Sequence, residues 1–237
     1  MKKLLLVLLV MSVMSSCAPT YVPNLRNSPM FAKGGEVQVG GQIGNGYEAQ
    51  AAISLTNHIG IMGNYAYIDR SGTDPDDEDD YLRHKFYEGG IGLFDNDGSM
   101  FMEIFAGYGR GEGNNSANFL GVEAASGKYE RYFIQPAFGF NKKVMHFSFV
   151  PRVSIVNFTE FTNGTTTVKV DEKPKVFFEP GFIGRVNGMN NRFFFTFQAG
   201  FSMTTESNLY FDHRWFQTGM GMGFRLGGYK PDVVEGK

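Results

Sequence analysis

The sequence holds one cysteine, Cys17, and one tryptophan. A single thiol permits no intramolecular disulfide, so no covalent cross-link within the chain stabilises the fold. No apolar run is long enough to cross a bilayer as a helix, which takes about 20 residues. Charge is balanced, with a formal net charge of −2, so neither nucleic acid nor another bulk electrostatic partner is implied. Disorder is excluded by the 24 Phe. Extended helical patterns are also missing. What is abundant is glycine, 31 residues in all, and each would cost a helix about 1 kcal/mol relative to alanine.

At the N-terminus, Lys2 and Lys3 precede a short apolar stretch, Leu4 to Val13. That is the layout of a secretory signal. Met14-Ser15-Ser16-Cys17 then resembles the lipobox of bacterial lipoproteins, with Met14 where leucine is usual. The resemblance implies cleavage after Ser16 and a covalent diacylglycerol with acyl chains, such as palmitate, on Cys17. Ala18 and Pro19 follow with no aspartate, which by the same resemblance directs the anchor to the outer membrane. No other cofactor is expected. A plain secretory signal with an incidental cysteine is the alternative.

From Gly35 onward, apolar residues recur with period two. "NRFFFTFQAGFSM" sends Phe193, Phe195, Phe197, Ala199, Phe201 and Met203 to one face. "WFQTGMGMGFRLG" sets Phe216, Thr218, Met220, Met222, Phe224 and Leu226 against Gln217, three glycines and Arg225. The same template predicts strands at 35–44, 47–56, 58–68, 83–94, 99–111, 129–141, 146–158, 174–186, 192–203 and 213–227. Short connections at 56–58, 95–98, 141–145 and 187–191 alternate with longer polar ones at 69–82, 112–128, 159–173 and 204–212. Only the turn at 44–46 is short on the long-loop side.

This pattern predicts an all-β chain: an up-and-down antiparallel transmembrane barrel of about ten strands, with eight plus a hairpin as the near alternative. The expected divisions are a cleaved lipoprotein signal (1–16), a lipidated periplasmic tether (17–34), the barrel (35–228) and a C-terminal tail (229–237). Tyr21 to Phe31, which includes Pro23 and Pro29, reads as the extended part of that tether. An even strand number puts both ends in the periplasm and the anchor in the inner leaflet of the outer membrane. A soluble barrel would show water a face rich in Lys and Glu. Here the second face is Gly, Ser, Gln and Ala with isolated charges, which suits a crowded lumen. Pro136, Pro151 and Pro180 fall on the apolar outward face, where bulges or kinks are expected.

The phasing points Glu36, Glu48, Glu88, Glu103 and Glu179 inward, with Arg131, Arg152, Arg185 and Arg225. Gln135 and Gln198 join them. A polar network built on Glu88, Glu103, Gln135, Arg152, Glu179, Arg185, Gln198 and Arg225 is therefore the candidate lumen site, since carboxylates in a low-dielectric interior require partners. Barrels of about eight strands are filled by side chains, whereas open porins have about 16 to 18. A filled lumen is expected, and a narrow ion path is the alternative.

Two stretches invite other chemistry. "YFDHRWF" sets Asp212 beside His213 at the long-loop rim, where omptin proteases keep an Asp/His pair. Adjacent strand residues face opposite sides, so these two cannot form an inward dyad. "DPDDEDD" packs Asp74, Asp76, Asp77, Asp79 and Asp80 into one loop. It is a weak calcium candidate, since it lacks the glycine turn and ligand spacing of an EF-hand. No metal site and no enzyme activity are expected.

The stretches "CAPTYVPN", "AQAAISLTNHIGIMGNYAY", "KFYEGGIG", "IFAGYGRGEG" and "RYFIQPAFGF" together resemble uncharacterised outer-membrane barrel lipoproteins typical of Bacteroidota. The resemblance spans Cys17 to about Leu226 and carries no catalytic motif. It implies a lipid-anchored barrel at the cell outer membrane, with outer-membrane lipid as its surroundings. The role implied is structural or interactive, open to a protein partner in the membrane or at the surface. A narrow solute pore and a soluble lipocalin-like carrier of an apolar ligand are the alternatives.

Overall fold

The computed structural model describes residues 19–71, 81–117, 122–142, 144–163, 166–169, 173–188, 191–206, 209 and 211–227. Eleven strands follow one another: β1 (Val37–Ile43), β2 (Tyr47–Ser54), β3 (Ile59–Ser71), β4 (Tyr81–Asn96), β5 (Met100–Ala117), β6 (Val122–Asn141), β7 (Met145–Asn163), β8 (Thr166–Lys169), β9 (Lys175–Gly188), β10 (Phe193–Phe201) and β11 (Phe216–Leu226). Each of β1 to β7 pairs antiparallel with the next, β7 passes directly to β9, and β11 returns to β1 with Val37 opposite Leu226. The ring therefore closes with ten strands, and β8 is a short flap hydrogen-bonded to the end of β7. Closure leaves the ten-stranded ring itself with no edge strand.

The faces follow the period-two reading. Phe193, Phe195, Phe197, Met220, Met222 and Ile91 are outward and exposed, while Gln198, Gln217, Arg225 and Glu88 are inward and buried. Tyr65 lies opposite Tyr87, and Tyr108 opposite Tyr132, in an aromatic row that follows the ring near the long-loop end of the apolar belt. Beyond that row the outward side chains become ionic, with pairs Arg83–Asp69, Lys85–Glu112, Arg110–Glu130 and Lys128–Glu160. From Tyr132 to Phe140 the belt is roughly 20 Å tall for a strand tilt of about 40°. Soluble monomers do not expose a continuous apolar surface of that size.

Three expectations change. Much of 112–128 and 159–173 is strand and not loop, because the ladders of β5, β6 and β7 continue past the apolar belt. Once both faces are polar, the apolar alternation ends although the backbone pairing does not. The prolines do not sit at bulges: register shifts occur at Asn115/Ala117 and Lys128/Tyr129. Pro151 lies opposite Pro180, and the β6–β7 ladder resumes in unchanged register on either side of Pro136 and Pro151. Finally, residues 20–31 are not a periplasmic tether. They are buried inside the barrel.

Short turns close the opposite end. At 97–99 the Asp97 carboxylate accepts hydrogen bonds from the N–H groups of Met100 (2.7 Å) and Ser99 (2.8 Å), which hold its carboxyl below its ordinary range.

Candidate functional site

The N-terminal segment runs through the lumen as one largely extended stretch of chain outside the strands, with Met30 alone at positive φ. At the long-loop end the Thr20 and Tyr21 N–H groups donate to the Asp212 carbonyl at 3.0 Å, and Arg214 N–H donates to Tyr21 O at 3.0 Å. At the short-turn end Asn96 Nδ2 donates to Phe31 O at 2.9 Å, and Ala32 N–H to Glu36 at 3.0 Å. Between these ends, backbone groups removed from water need partners. Lumen side chains supply them.

Leu25 N–H donates to Glu48 at 2.9 Å, Arg26 N–H to Gln198 at 2.9 Å and Phe31 N–H to Glu103 at 3.1 Å. The segment's carbonyls are met in turn. Arg152 Nη2 donates to Asn24 O at 3.0 Å, Gln135 Nε2 to Asn27 O at 2.7 Å, Arg185 Nη2 to Ser28 O at 3.0 Å and Arg185 Nη1 to Pro29 O at 2.6 Å. These polar residues form a receptor for a peptide backbone. They are not merely a self-paired network.

Seven of the eight candidate residues are thus placed: Gln135, Arg185, Gln198, Glu103 and Arg152 bind the segment directly, and Glu88 and Glu179 bind its side chains. Asn24 Nδ2 donates to Glu88 at 2.7 Å and Tyr21 Oη to Glu179 at 2.8 Å. Glu88 is also ion-paired with Arg131, and Glu179 with Arg152 at 2.6 Å. The eighth, Arg225, lies 2.8 Å from Glu36 near the short-turn end. The guanidinium of Arg131 further stacks 4.2 Å above the Phe86 ring.

Sequence reasoning missed the segment's own residues: Tyr21, Asn24, Arg26, Asn27 and Ser28. A signal existed. In the period-two phasing five inward glutamates stand against four inward arginines, and Arg26 makes the numbers equal. Arg26 Nη1 donates to Gln217 at 2.6 Å and Nη2 to Phe201 O at 2.9 Å. Phe178 and Met203 exchange both backbone hydrogen bonds, so Pro180 and Phe201, two residues along each strand, occupy the next such position. Pro180 has no N–H, and Arg26 takes its place on the orphaned carbonyl.

Apolar layers cap the polar middle at both ends. Tyr21 packs with Phe86, Tyr129, Phe158, Phe177 and Phe211. Met30 packs with Phe101, Val150 and Ile183, and Phe31 with Phe94, Phe105 and Phe133. Several inward glycines leave room for the segment itself: a Cβ at Gly181 would lie 2.8 Å from Arg26 Cδ, and one at Gly60 would lie 2.6 Å from the Phe31 ring. The space left beside Arg26, Asn27 and Ser28 is about 20 Å³, room for about one water.

Asp212 is exposed and His213 half-buried, with the His213 ring 5.2 Å from that of Phe177. What holds the segment at Asp212 is its backbone carbonyl. Cys17 and the acidic positions Asp74, Asp76, Asp77, Asp79 and Asp80 lie outside the described residues.

Fold and lumen together define a self-plugged antiparallel barrel of the transmembrane type. No family model and no curated protein sequence matches the chain. Among solved structures it is similar to the translocator domain of the autotransporter NalP from Neisseria meningitidis, at 11% identity over 84% of this chain and 90% of that one, with a TM-score of 0.39. It is also similar to a bacterial polysaccharide outer membrane secretin, at 8% identity over 83% of this chain and 100% of that one, with a TM-score of 0.24. Similarities at this level carry no argument about activity.

Proposed function

We propose that the chain is a sealed outer-membrane lipoprotein, anchored through Cys17, whose barrel is a structural or interaction platform and not a conduit. The filled lumen carries this reading. Side chains alone do not close it; a peptide segment lies along it, hydrogen-bonded to both sides of the ring. The apolar belt and its aromatic row support the membrane setting. The signal and lipobox-like residues ahead of Ala18 support the anchor. The tall strands β4 to β7 then present polar surface beyond the membrane, where a protein partner would meet them.

Purified protein in planar bilayers tests the reading. No unitary conductance steps are expected from the wild type at moderate voltage. Steady conducting steps would sink the sealed platform and favour a solute pore. The membrane setting has its own measurement: unheated protein should run faster in SDS gels and shift on boiling.

A further inference from the structure

Resting on the outer-membrane lipoprotein reading above, we infer that the barrel delivers its own lipidated N-terminus to the long-loop side. The acyl chains on Cys17 then sit in the surface leaflet, opposite to the inner-leaflet anchor that an even strand count alone suggests.

The direction of the thread decides this. Phe31 and Ala32 lie at the short-turn end, beside Asn96 and Glu36, and the chain enters β1 from there. Thr20 lies at the other end, bonded to Asp212 and with its carbonyl against Gly113 of β5. Cys17 is three residues before Thr20, and three residues span at most about 11 Å. Returning to the short-turn leaflet would require recrossing the apolar belt, roughly 20 Å tall, past a lumen in which the space beside Arg26, Asn27 and Ser28 is about 20 Å³. Three residues cannot do that.

The nearer leaflet is the surface one. Among the described residues the ring wall is low at the turn 44–46 between β1 and β2, where a Cβ on Gly44 would lie 3.3 Å from Leu25 Cδ1. Thr20 stands five residues beyond Leu25, above that low edge. Tyr47 and Ile43, exposed and outward just below the edge, mark the top of the apolar belt on this side. Thr20 and the surface leaflet lie on the same side of the apolar belt, so no crossing of the belt separates them.

The experiment places a hydrophilic epitope between Ala18 and Pro19 and reads antibody binding on intact and on permeabilised cells. Two cysteine variants calibrate the sides with a membrane-impermeant maleimide: Ser71→Cys at the long-loop end of β3 and Ser99→Cys in a short turn. Intact cells should bind at least half of the antibody bound after permeabilisation. Ser71→Cys should label on intact cells, and Ser99→Cys only after permeabilisation. An epitope that needs permeabilisation while Ser71→Cys does not would overturn the inference and leave the barrel reading standing. Inverted labelling of the two calibrants would overturn it through the orientation. Loss of the heat-dependent gel shift in the unmodified protein would instead remove the barrel reading itself. Should the epitope block assembly, Ala18→Cys provides a small probe for the same comparison, with the same outcome expected on intact cells.

Discussion

The two halves of the ring are built differently. β4, β5, β6 and β7 have 16, 18, 20 and 19 residues, whereas β1, β2, β10 and β11 have 7, 8, 9 and 11. The tall half packs aromatic side chains against its inward glycines: a Cβ at Gly107 would meet Phe133, one at Gly109 Phe86 and one at Gly127 Phe158. The low half relies on the N-terminal segment: Gly44 and Gly219 face Leu25, and Gly200 faces Arg26, as does Gly181 on the adjoining β9. The tall wall is filled largely by its own aromatic side chains, apart from Gly113, which faces Thr20; the low wall leans more on a residue stretch that belongs to no strand, although Gly223 faces Phe194. Glycine in a barrel lumen thus marks two kinds of neighbour, a side chain of the ring or a guest laid against it.

The comparison is broken most strongly where both halves meet. Glu179 receives hydrogen bonds from Tyr21 of the segment and from Arg152 and Ser154 of β7. Glu179→Ala leaves buried cations without their carboxylate, and a loss of about 3–5 kcal/mol is expected, read as the urea midpoint of Trp215 fluorescence in detergent. A matched pair comes next. Gly200→Val forces a side chain into Arg26 and should cost about 1–3 kcal/mol. Gly63→Val faces outward with only an ordinary contact at 3.7 Å and should leave the midpoint unmoved. Equal losses in the two would remove the special status of the segment-facing glycines.

Arg26→Leu sharpens the contrast. The unsatisfied Phe201 carbonyl and Gln217 should cost about 1–3 kcal/mol. They should loosen the β10–β11 connection, so that limited proteolysis within 202–215 accelerates while the β5–β6 region keeps its wild-type rate. The smallest effect belongs to the tall half's exterior. Lys128→Ala removes an exposed ion pair with Glu160 and should change stability by less than about 1 kcal/mol, with the difference vanishing in high salt.

Much of this was legible in the residues. Period-two alternation assigned each side chain to a face, so Glu88, Glu103, Arg152 and Glu179 could be placed in the lumen from sequence alone. The strand ends beyond the membrane belt could not be read, since "GRGEGNN" is polar on both faces and a ladder between polar faces leaves no apolar signature. The segment reads as a tether because its prolines and short polar side chains describe an extended chain, and they do. Extended conformation says nothing about surroundings. The surplus of inward glutamate was the remaining clue, and it becomes decisive only when Glu48 and Glu103 are seen accepting backbone N–H groups.

A thread that fills its ring also favours one order of events. Glu48, Gln135, Arg185 and Gln198 find their buried partners on the segment, so a wall closed without its thread would hold unpaired polar groups. β1 and β11, whose pairing closes the circle, therefore shut most favourably over a segment already lying along the inner surface. The partners that hold it, Gln198 and Gln217, lie 172 and 191 residues away in the chain, so they arrive last. The β1–β11 seam is therefore the clasp of the molecule, the joint that shuts over its own N-terminus.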